Sequence, residues 1–539
     1  MSLSNYPIGY QMQRPAHDTS RIASSASKVS IAVMCSRVLG LVREQAFAIL
    51  FGAGFAFDSF VVAFRIPNLL RDLFGEGALS AAFVTVFSDY DETRGREATW
   101  KLAGNVLVFI SILLSIITLL GILFADKIVL ALVDADFEKI PDKVALTHLL
   151  TMIMFPFLIF ISLSSVVMGI LNTKGRFFVP ALASSFFNLG SIVGGVSLAF
   201  LLGEPGQPSI VGMAIGTLIG GMLQFGGQLP SLFRAGFKFK PNLNLKDPGL
   251  HRILKLMAPA VFGLAALQIN VFINTYFASS LQEGSLSWLN YAFRFFQFPV
   301  GVFGVAISIA ALPLLSRQAA TNDFARLKET FTSSLTMAFS LTIPATVGLI
   351  LLADPIIRII FEHGSFSAID TFKTAEALRF YALGLFAYAS VKVMVPVFYA
   401  LDDTRYPVVG SFLAVGANIC IVLMSITTLQ HKAMALSISG AMTVNFFFLG
   451  IILYRKLNGF SLSYLFTGLG KVFTGALIMG LYLYWLKAVL IDWTQGGFFN
   501  ELAGLLFFVA SGAAVYGIAL YLLKLQEFKL VIDKLLGRI

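Results

Sequence analysis

The fold class that this sequence predicts is an all-α integral membrane protein: fourteen transmembrane helices, in two parallel six-helix repeats (1–6 and 7–12) plus two extra C-terminal helices. Three observations predict it. The 539 residues are 57% hydrophobic and only 13% charged, with a mean hydropathy of +0.83, whereas soluble domains carry about 25% charged residues. Apolar runs of about 18 residues or more, long enough to cross a hydrocarbon core of about 30 Å, recur along nearly the whole chain. Finally, "AFRIPNLLRDLFGEGALSAA" (63–82) and "AFRFFQFPVGVFGVAISIAA" (292–311) share Ala-Phe-Arg, Phe-Gly and Ala-Ala without a gap, and Arg176 maps onto Arg405 at the same offset of 229.

Residues 1–27 are polar and lack an apolar stretch next to the start, so they read as a cytoplasmic tail, with the first helix acting as an uncleaved insertion signal. Helices expected over 28–50, 57–88, 102–125, 144–171, 177–202 and 210–232 make a first lobe, 28–232. Gly and Pro interrupt the second of these helices. Gly190 with Gly194, and Gly212 with Gly216 and Gly220, are spaced for close helix packing.

Residues 233–251, which take in nearly all of the basic stretch "RAGFKFKPNLNLKDPGLHR" (234–252), read as an amphipathic linker at the cytoplasmic surface with its cations near anionic headgroups. A second lobe, 252–456, holds helices over 252–279, 285–316, 328–353, 374–401, 406–428 and 433–454. The rest, 457–539, supplies helices over 472–490 and 499–523 and a cytoplasmic tail. Six is an even number, so the two lobes insert with the same orientation, and in such transporters substrates bind between the repeats.

Lys and Arg number roughly 25 in the tails and the loops after even helices, against roughly 7 after odd ones, which puts both termini in the cytoplasm. Most of the +10 formal charge is thus an orientation signal. Cations dispersed over short loops do not make a nucleic-acid footprint. Trp100, Trp288, Trp485 and Trp493 fall near expected helix ends, where an amphipathic ring suits the membrane interface.

Several chemistries find no support. Cys35 and Cys420 lie in apolar spans and read as packing residues. The stretch "GLGK" (468–471) lacks phosphate-loop spacing, and the five histidines are scattered without paired ligand spacing. The acidic stretch "DADFEKIPD" (134–142), the one candidate for a loop carboxylate of a membrane enzyme, reads as a solvated loop.

Buried charge is the functional signal. A charge at the bilayer centre costs roughly 2.5 to 3.5 kcal/mol even on the lenient insertion scale. Yet the expected spans contain Arg37, Arg43, Arg65, Arg71 and Arg294 against Glu44, Asp58 and Glu76. Arg37 and Arg43 stand about 9 Å apart along one helix axis, able to border a single cavity at two depths. Glu44 adjoins Arg43 and can orient it. Asp58 and Arg65, seven residues apart, are expected on one face, with a kink at Pro67.

Arg71, Glu76 and Arg43 have a competing reading as interfacial side chains that snorkel. Arg379 and Lys392 are read as a snorkelling pair in preference to a relay. Arg37, Arg65 and Arg294 lie in apolar surroundings, and two of them are repeat-equivalent. Surplus guanidinium in a central cavity calls for an anionic guest, and its fork suits phosphate oxygens.

The stretch "SRVLGLVREQAFAILFGAGFAFDSFVVAFRIPNLLRDLFGEGALSAAFVTVFSDY" (36–90) closely resembles the N-terminal signature of the MurJ (MviN) lipid II flippases, of the multidrug/oligosaccharidyl-lipid/polysaccharide exporter superfamily. The likeness continues through "GILNTKGRFFVPALASSFFN" (169–188), "SLSWLNYAFRFFQFPVGVFGVAI" (285–307) and "VKVMVPVFYALDDTRYPV" (391–408), so it covers essentially the whole chain.

The resemblance implies fourteen helices in two lobes, a lipid-side groove on the last two, and a place in the bacterial cytoplasmic (inner) membrane. It implies transfer of undecaprenyl-pyrophosphate-linked disaccharide pentapeptide, lipid II, from the inner to the outer leaflet. It puts cavity arginines at Arg37, Arg43 and Arg294, and helix 2 functional positions at Asp58, Arg65, Arg71 and Glu76. Arg37, Arg43, Arg65 and Arg294 are then expected to bind pyrophosphate, and Glu44, Asp58, Arg71 and Glu76 to form gating or orienting ion pairs.

The expected partners are lipid II and membrane lipids, with no nucleic acid, and the chain is expected to be a monomer. No cofactor or metal is expected, and membrane potential or a monovalent cation is the candidate energy source. The sequence departs from the family in two places. Helices 7 and 11 hold no carboxylate, leaving Asn270, Asn274 and Asn418 as the nearest oxygen ligands for sodium. Phe293 stands where an aspartate often precedes the helix 8 arginine. Rival expectations are a flippase for another polyprenyl-linked saccharide, an ion-coupled exporter of small molecules, and a membrane enzyme or scaffold.

Overall fold

A computed structural model describes residues 16–76, 78–490 and 497–529. The side chains of 16–28, 30, 75–78, 260 and 262–267 lie outside that description, so Glu76 and Trp493 among the residues singled out above are not characterised. The described chain is helical, without a strand ladder.

Long apolar runs fold as helices because a helix satisfies its own backbone hydrogen bonds where no water can. They are α1 (Ala16–Phe51), α2 (Phe55–Arg71), α3 (Ala78–Thr93), α4 (Gly95–Leu123), α5 (Ala125–Leu132), α6 (Ala135–Glu138), α7 (Lys143–Met154), α8 (Phe157–Thr173), α9 (Phe178–Leu202), α10 (Ile210–Gly226) and α11 (Leu229–Arg234). The second half comprises α12 (Pro248–Ser279), α13 (Ser285–Pro299), α14 (Ala306–Ala320), α15 (Phe324–Phe361), α16 (Ala368–Ala382), α17 (Leu385–Ala400), α18 (Arg405–Leu429) and α19 (His431–Lys456). The last two are α20 (Leu462–Val489) and α21 (Phe498–Leu522).

Among the described residues, ten helical segments are long and apolar enough to cross a membrane, or eleven counting α16 with α17, which meet at 44°. The helices outside that set include α1 and the α2–α3 pair, whose apolarity is broken by Arg37, Arg43, Glu44, Asp58, Arg65 and Arg71.

The offset of 229 reappears in the helix boundaries. Shifted back by that amount, α15 covers 95–132, the joint extent of α4 and α5, and α18 covers 176–200 against an observed Phe178–Leu202. Both halves also break into a wider π-turn at matching places, Asp72–Glu76 after α2 and Val300–Val305 after α13. Such turns re-aim the side chains that follow, and they are frequent at functional sites. Helical structure runs through Pro67 to Arg71, so the interruption falls at this π-turn rather than just beyond Arg65.

Close approach of α9 and α10 requires their glycines: a Cβ on Gly212 would sit 2.1 Å from the Ala199 nitrogen, and one on Gly216 would sit 2.3 Å from Gly195 Cα. The linker after α11 is pinned by a reciprocal pair. Asn105 donates to the Asn244 carbonyl at 2.9 Å and accepts from its N–H at 2.8 Å. Phe237 is buried against Trp100. The first turns of α12 (Leu250, Ile253, Met257) are buried in the same cluster as α3, α4 and α8, and Arg252 pairs with Asp89.

The tryptophans divide. Trp485 is exposed on α20, but Trp288 is buried and donates from Nε1 to Asp370 at 2.8 Å, so its place at a helix end is a packing role. Helices α20 and α21 lean on α15, where the Tyr516 hydroxyl donates to the Ser340 carbonyl at 2.7 Å. Phe473, Leu477 and Leu506 remain exposed.

Candidate functional site

Where α1, α2 and α13 converge, two cavities share a wall of Arg43, Glu44, Arg294 and Gln297. The smaller, of about 320 Å³, adds Arg65, Asn68, Arg71, Asp72, Gln268 and Asn290. The larger, of about 1050 Å³, adds Arg37 from α1 and Tyr388 and Lys392 from α17. An aromatic cluster of Phe47, Phe57, Phe60, Tyr291, Phe361 and Phe366 adjoins the smaller cavity, whose wall includes Phe47, Phe57 and Phe60. It brings both halves of the chain into one core.

Glu44 is the electrostatic hinge of this wall. Its Oε1 lies 2.8 Å from Arg43 and 3.0 Å from Arg294, so one buried carboxylate ties α1 to α13. The sequence suggested that Glu44 serves Arg43 alone and that Phe293 leaves Arg294 without an acid. The fold supplies that acid from 250 residues away. Even so, Arg294 remains 44% exposed, with the rest of its fork turned to the cavity. Arg43 also lies over the Phe187 ring, 5.1 Å from its centroid.

Arg71 pairs with Asp72 at 2.9 Å, and Asp72 accepts from Gln268 at 3.4 Å. Among the described side chains, Arg37 and Arg65 meet no carboxylate, and the buried Nε of Arg65 donates to nothing. Among the described residues, the walls hold six cations (Arg37, Arg43, Arg65, Arg71, Arg294, Lys392) and two carboxylates (Glu44, Asp72).

An anion at 6 to 8 Å from each surplus charge gains about 2 to 3 kcal/mol per pair at an effective dielectric near 20. Four surplus cations thus favour a multiply charged anion over a monovalent one. Repeat equivalence extends to the chemistry: Arg65 and Asn68 on α2 match Arg294 and Gln297 on α13, and both pairs face the smaller cavity.

Asp58 and Arg65 stand seven residues apart on the continuous α2, on one face but about 10 Å apart along its axis. Asp58 lines neither cavity and is buried beside Lys143, Gly284 and Ser287, at the end that cross-half hydrogen bonds such as Ser365 N–H to the Ile49 carbonyl, 2.9 Å, hold closed. Lys392, read as snorkelling, lines the larger cavity, while Arg379 pairs with Asp354. Sequence reasoning missed Lys143, Asp72 and the amides Asn68, Gln268, Asn290 and Gln297. The repeat offset could have found Gln297 from Asn68, and Ser287 from Asp58.

Fold and site together define a polytopic membrane protein with a cationic chamber between repeat-related helices. The fold alone is similar to that of a solved multidrug resistance MATE family transporter of the MOP superfamily (TM-score 0.67, 15% identity, 78% of this chain and 94% of that one). A sequence model of the family described as "Lipid II flippase MurJ" matches residues 47–504, and the chain belongs to that family.

Among curated relatives, a "Probable lipid II flippase MurJ" of Vibrio cholerae is 35% identical over 529 residues, covering 94% of this chain and 98% of the relative. One of the same description from Buchnera aphidicola subsp. Schizaphis graminum is 33% identical, over 94% of this chain and 97% of the relative. A solved structure titled "Lipid II flippase MurJ, inward closed conformation" matches with TM-score 0.76 and 29% identity over 94% of this chain and 99% of that one.

Proposed function

We propose that this chain is a lipid II flippase that carries the undecaprenyl-pyrophosphate-linked peptidoglycan precursor from the inner to the outer leaflet of the bacterial cytoplasmic membrane. Family membership supports the cargo. One observation from the chain itself carries the mechanism: among the described side chains, the chamber walls hold six cations against two carboxylates, and Arg37 and Arg65 meet no carboxylate.

In this reading Arg37, Arg43, Arg65 and Arg294 receive the two phosphates, each fork offering parallel donors to one phosphoryl group. Glu44 holds Arg43 and Arg294 in place until the cargo arrives and competes for them. Arg71 with Asp72, Asp58 and Glu76 serve as gating pairs. Asn68, Gln268, Asn290 and Gln297 offer amides to the sugar and peptide headgroup. The larger cavity, next to the exposed wall of α1, leads the headgroup in, while the isoprenoid tail stays in lipid along α20 and α21.

The chain is read as fourteen spans with both termini cytoplasmic: lobes 28–232 and 252–456, the linker 233–251 between them, and 457–539 outside the repeat. It acts as a monomer by alternating access. Transport needs no bound cofactor, and membrane potential or a monovalent cation resets the cycle. A cation exporter calls for surplus carboxylates in the chamber, the opposite of the balance observed. The test is leaflet accessibility of lipid II in cells whose only flippase is this chain. Cleavage of lipid II by an external enzyme is expected with the parent and lost with Arg37→Ala or Arg294→Ala. Failure of the parent to expose lipid II overturns the reading.

A further inference from the structure

The closed end of the molecule contains a charge cluster that the chamber does not use. Helices α2 and α13 begin there face to face, and neither N-terminus is capped by its own preceding side chain. Each is capped from the other half. Glu283, just before α13, accepts from the Phe55 N–H of α2 at 3.1 Å. Asp58, in the first turn of α2, accepts from the Gly284 N–H at 2.8 Å, the Ser287 N–H at 3.0 Å and the Ser287 hydroxyl at 2.6 Å. Exposed donors at a helix start favour a carboxylate, so the exchange stabilises contact between the halves.

Lys143 sits at the centre. It is the first residue of α7, which packs on α2, and its side chain is 1% exposed. Its Nζ lies 3.1 Å from Asp58 and 4.0 Å from Glu283, above the ring of Phe137. Asp58 thus has four donors, three from the far half and one, Lys143, from its own. If the halves part here, Asp58 loses three partners together and keeps Lys143, while Glu283 loses both the Phe55 N–H and Lys143.

We propose that Lys143 is the positioning residue of the outer gate: it stays with Asp58 when the closed end parts, so the buried carboxylate is never left unpaired and the gate can open. The proposal rests on the alternating-access reading above and adds to it the partner that makes opening affordable. It gives the members of one cluster opposite effects. Removing a cross-half partner weakens the closed state, because bonds to a charged acceptor are about twice as strong as neutral ones. Removing Lys143 leaves Asp58 dependent on donors that exist only when closed, and holds the gate shut. An ordinary structural ion pair behaves otherwise, loosening whichever partner is lost.

The test uses the full chain in intact cells, with Cys35→Ser, Cys420→Ser and a reporter Asn290→Cys in the chamber wall. An impermeant thiol reagent is added from outside. Relative to the parent, Asp58→Asn and Glu283→Gln are expected to speed labelling about tenfold and Lys143→Met to slow it about tenfold, with Lys143→Arg restoring the parent rate. Lys143→Gln, which keeps a donor without the charge, covers the case in which the methionine variant does not accumulate, and is expected to slow labelling in the same sense.

Three results overturn the proposal: a change in the same direction on both sides of the pair, an unchanged rate in the Lys143 variants, or a reporter unreachable from outside even with Asp58→Asn. Labelling needs no lipid II, so translocation measured in parallel on the unsubstituted chain, which keeps Asn290, separates the two readings. Opposite shifts in a chain that moves no lipid II leave the gate standing and remove the cargo.

Discussion

Arg65→Ala separates a binding role from a structural one more cleanly than any other change in the chamber. Its guanidinium meets no carboxylate among the described side chains and its Nε is buried without a partner. Truncation therefore orphans no described acid, and it removes a charge that the apo protein holds at a cost. A charge-assisted hydrogen bond is worth about 1.5 to 3 kcal/mol, so losing the contact to a phosphoryl group should weaken binding roughly 10- to 150-fold.

Stability should move the other way, or not at all, because relieving one unsatisfied buried donor returns about 1 to 3 kcal/mol. Arg65→Lys, which keeps the charge and loses the fork, should fall between parent and alanine. The assay is lipid II affinity of the purified protein in nanodiscs, alongside its thermal midpoint. Parent-like affinity in Arg65→Ala, or a collapse in thermal midpoint, refutes the reasoning.

Further expectations follow from other contacts. Glu44→Gln removes the carboxylate shared by Arg43 and Arg294, so lipid II should bind more tightly and leave more slowly, seen as a lower dissociation rate with reduced translocation. Gly212→Val places a side chain where Cβ alone would lie 2.1 Å from the Ala199 nitrogen. Forcing α9 from α10 should cost at least about 1 to 3 kcal/mol, read as loss of monodisperse protein on solubilisation. Trp288→Phe loses one buried hydrogen bond to Asp370 and should destabilise by about 1 kcal/mol, whereas Trp485→Phe on the exposed face should leave the thermal midpoint unchanged.

The apolar helices and the repeat offset were legible because hydropathy and a fixed offset are properties of the chain itself, though of the fourteen expected spans ten or eleven are long and apolar enough among the described residues, since charge and π-turns break others. The arginines were legible because a cation in an apolar span is conspicuous wherever it points. What escaped were relations across the fold. Glu44 reads as the neighbour of Arg43, and nothing along the chain says that Arg294 stands 3.0 Å away on the other side. Lys143 follows "EKIPD", a polar stretch in which any lysine looks solvated, yet it is buried against Asp58. Trp288 lies at a span end, as interfacial tryptophans do, but its ring turns inward to Asp370. Asp58 and Arg65 share a helical spacing that gives one face but not one depth: two turns apart along α2, one meets Lys143 and Ser287 and the other looks into the chamber.

Unpaired guanidinium groups in the chamber should be there for a diphosphate. The affinity of the parent protein and of Arg65→Ala is to be compared for lipid II and for an analogue whose diphosphate is replaced by a neutral linker of similar length. The parent should prefer the diphosphate at least about tenfold, and the preference should shrink in Arg65→Ala. Equal affinity of the parent for the two ligands, or a preference that survives loss of Arg65 intact, contradicts that role.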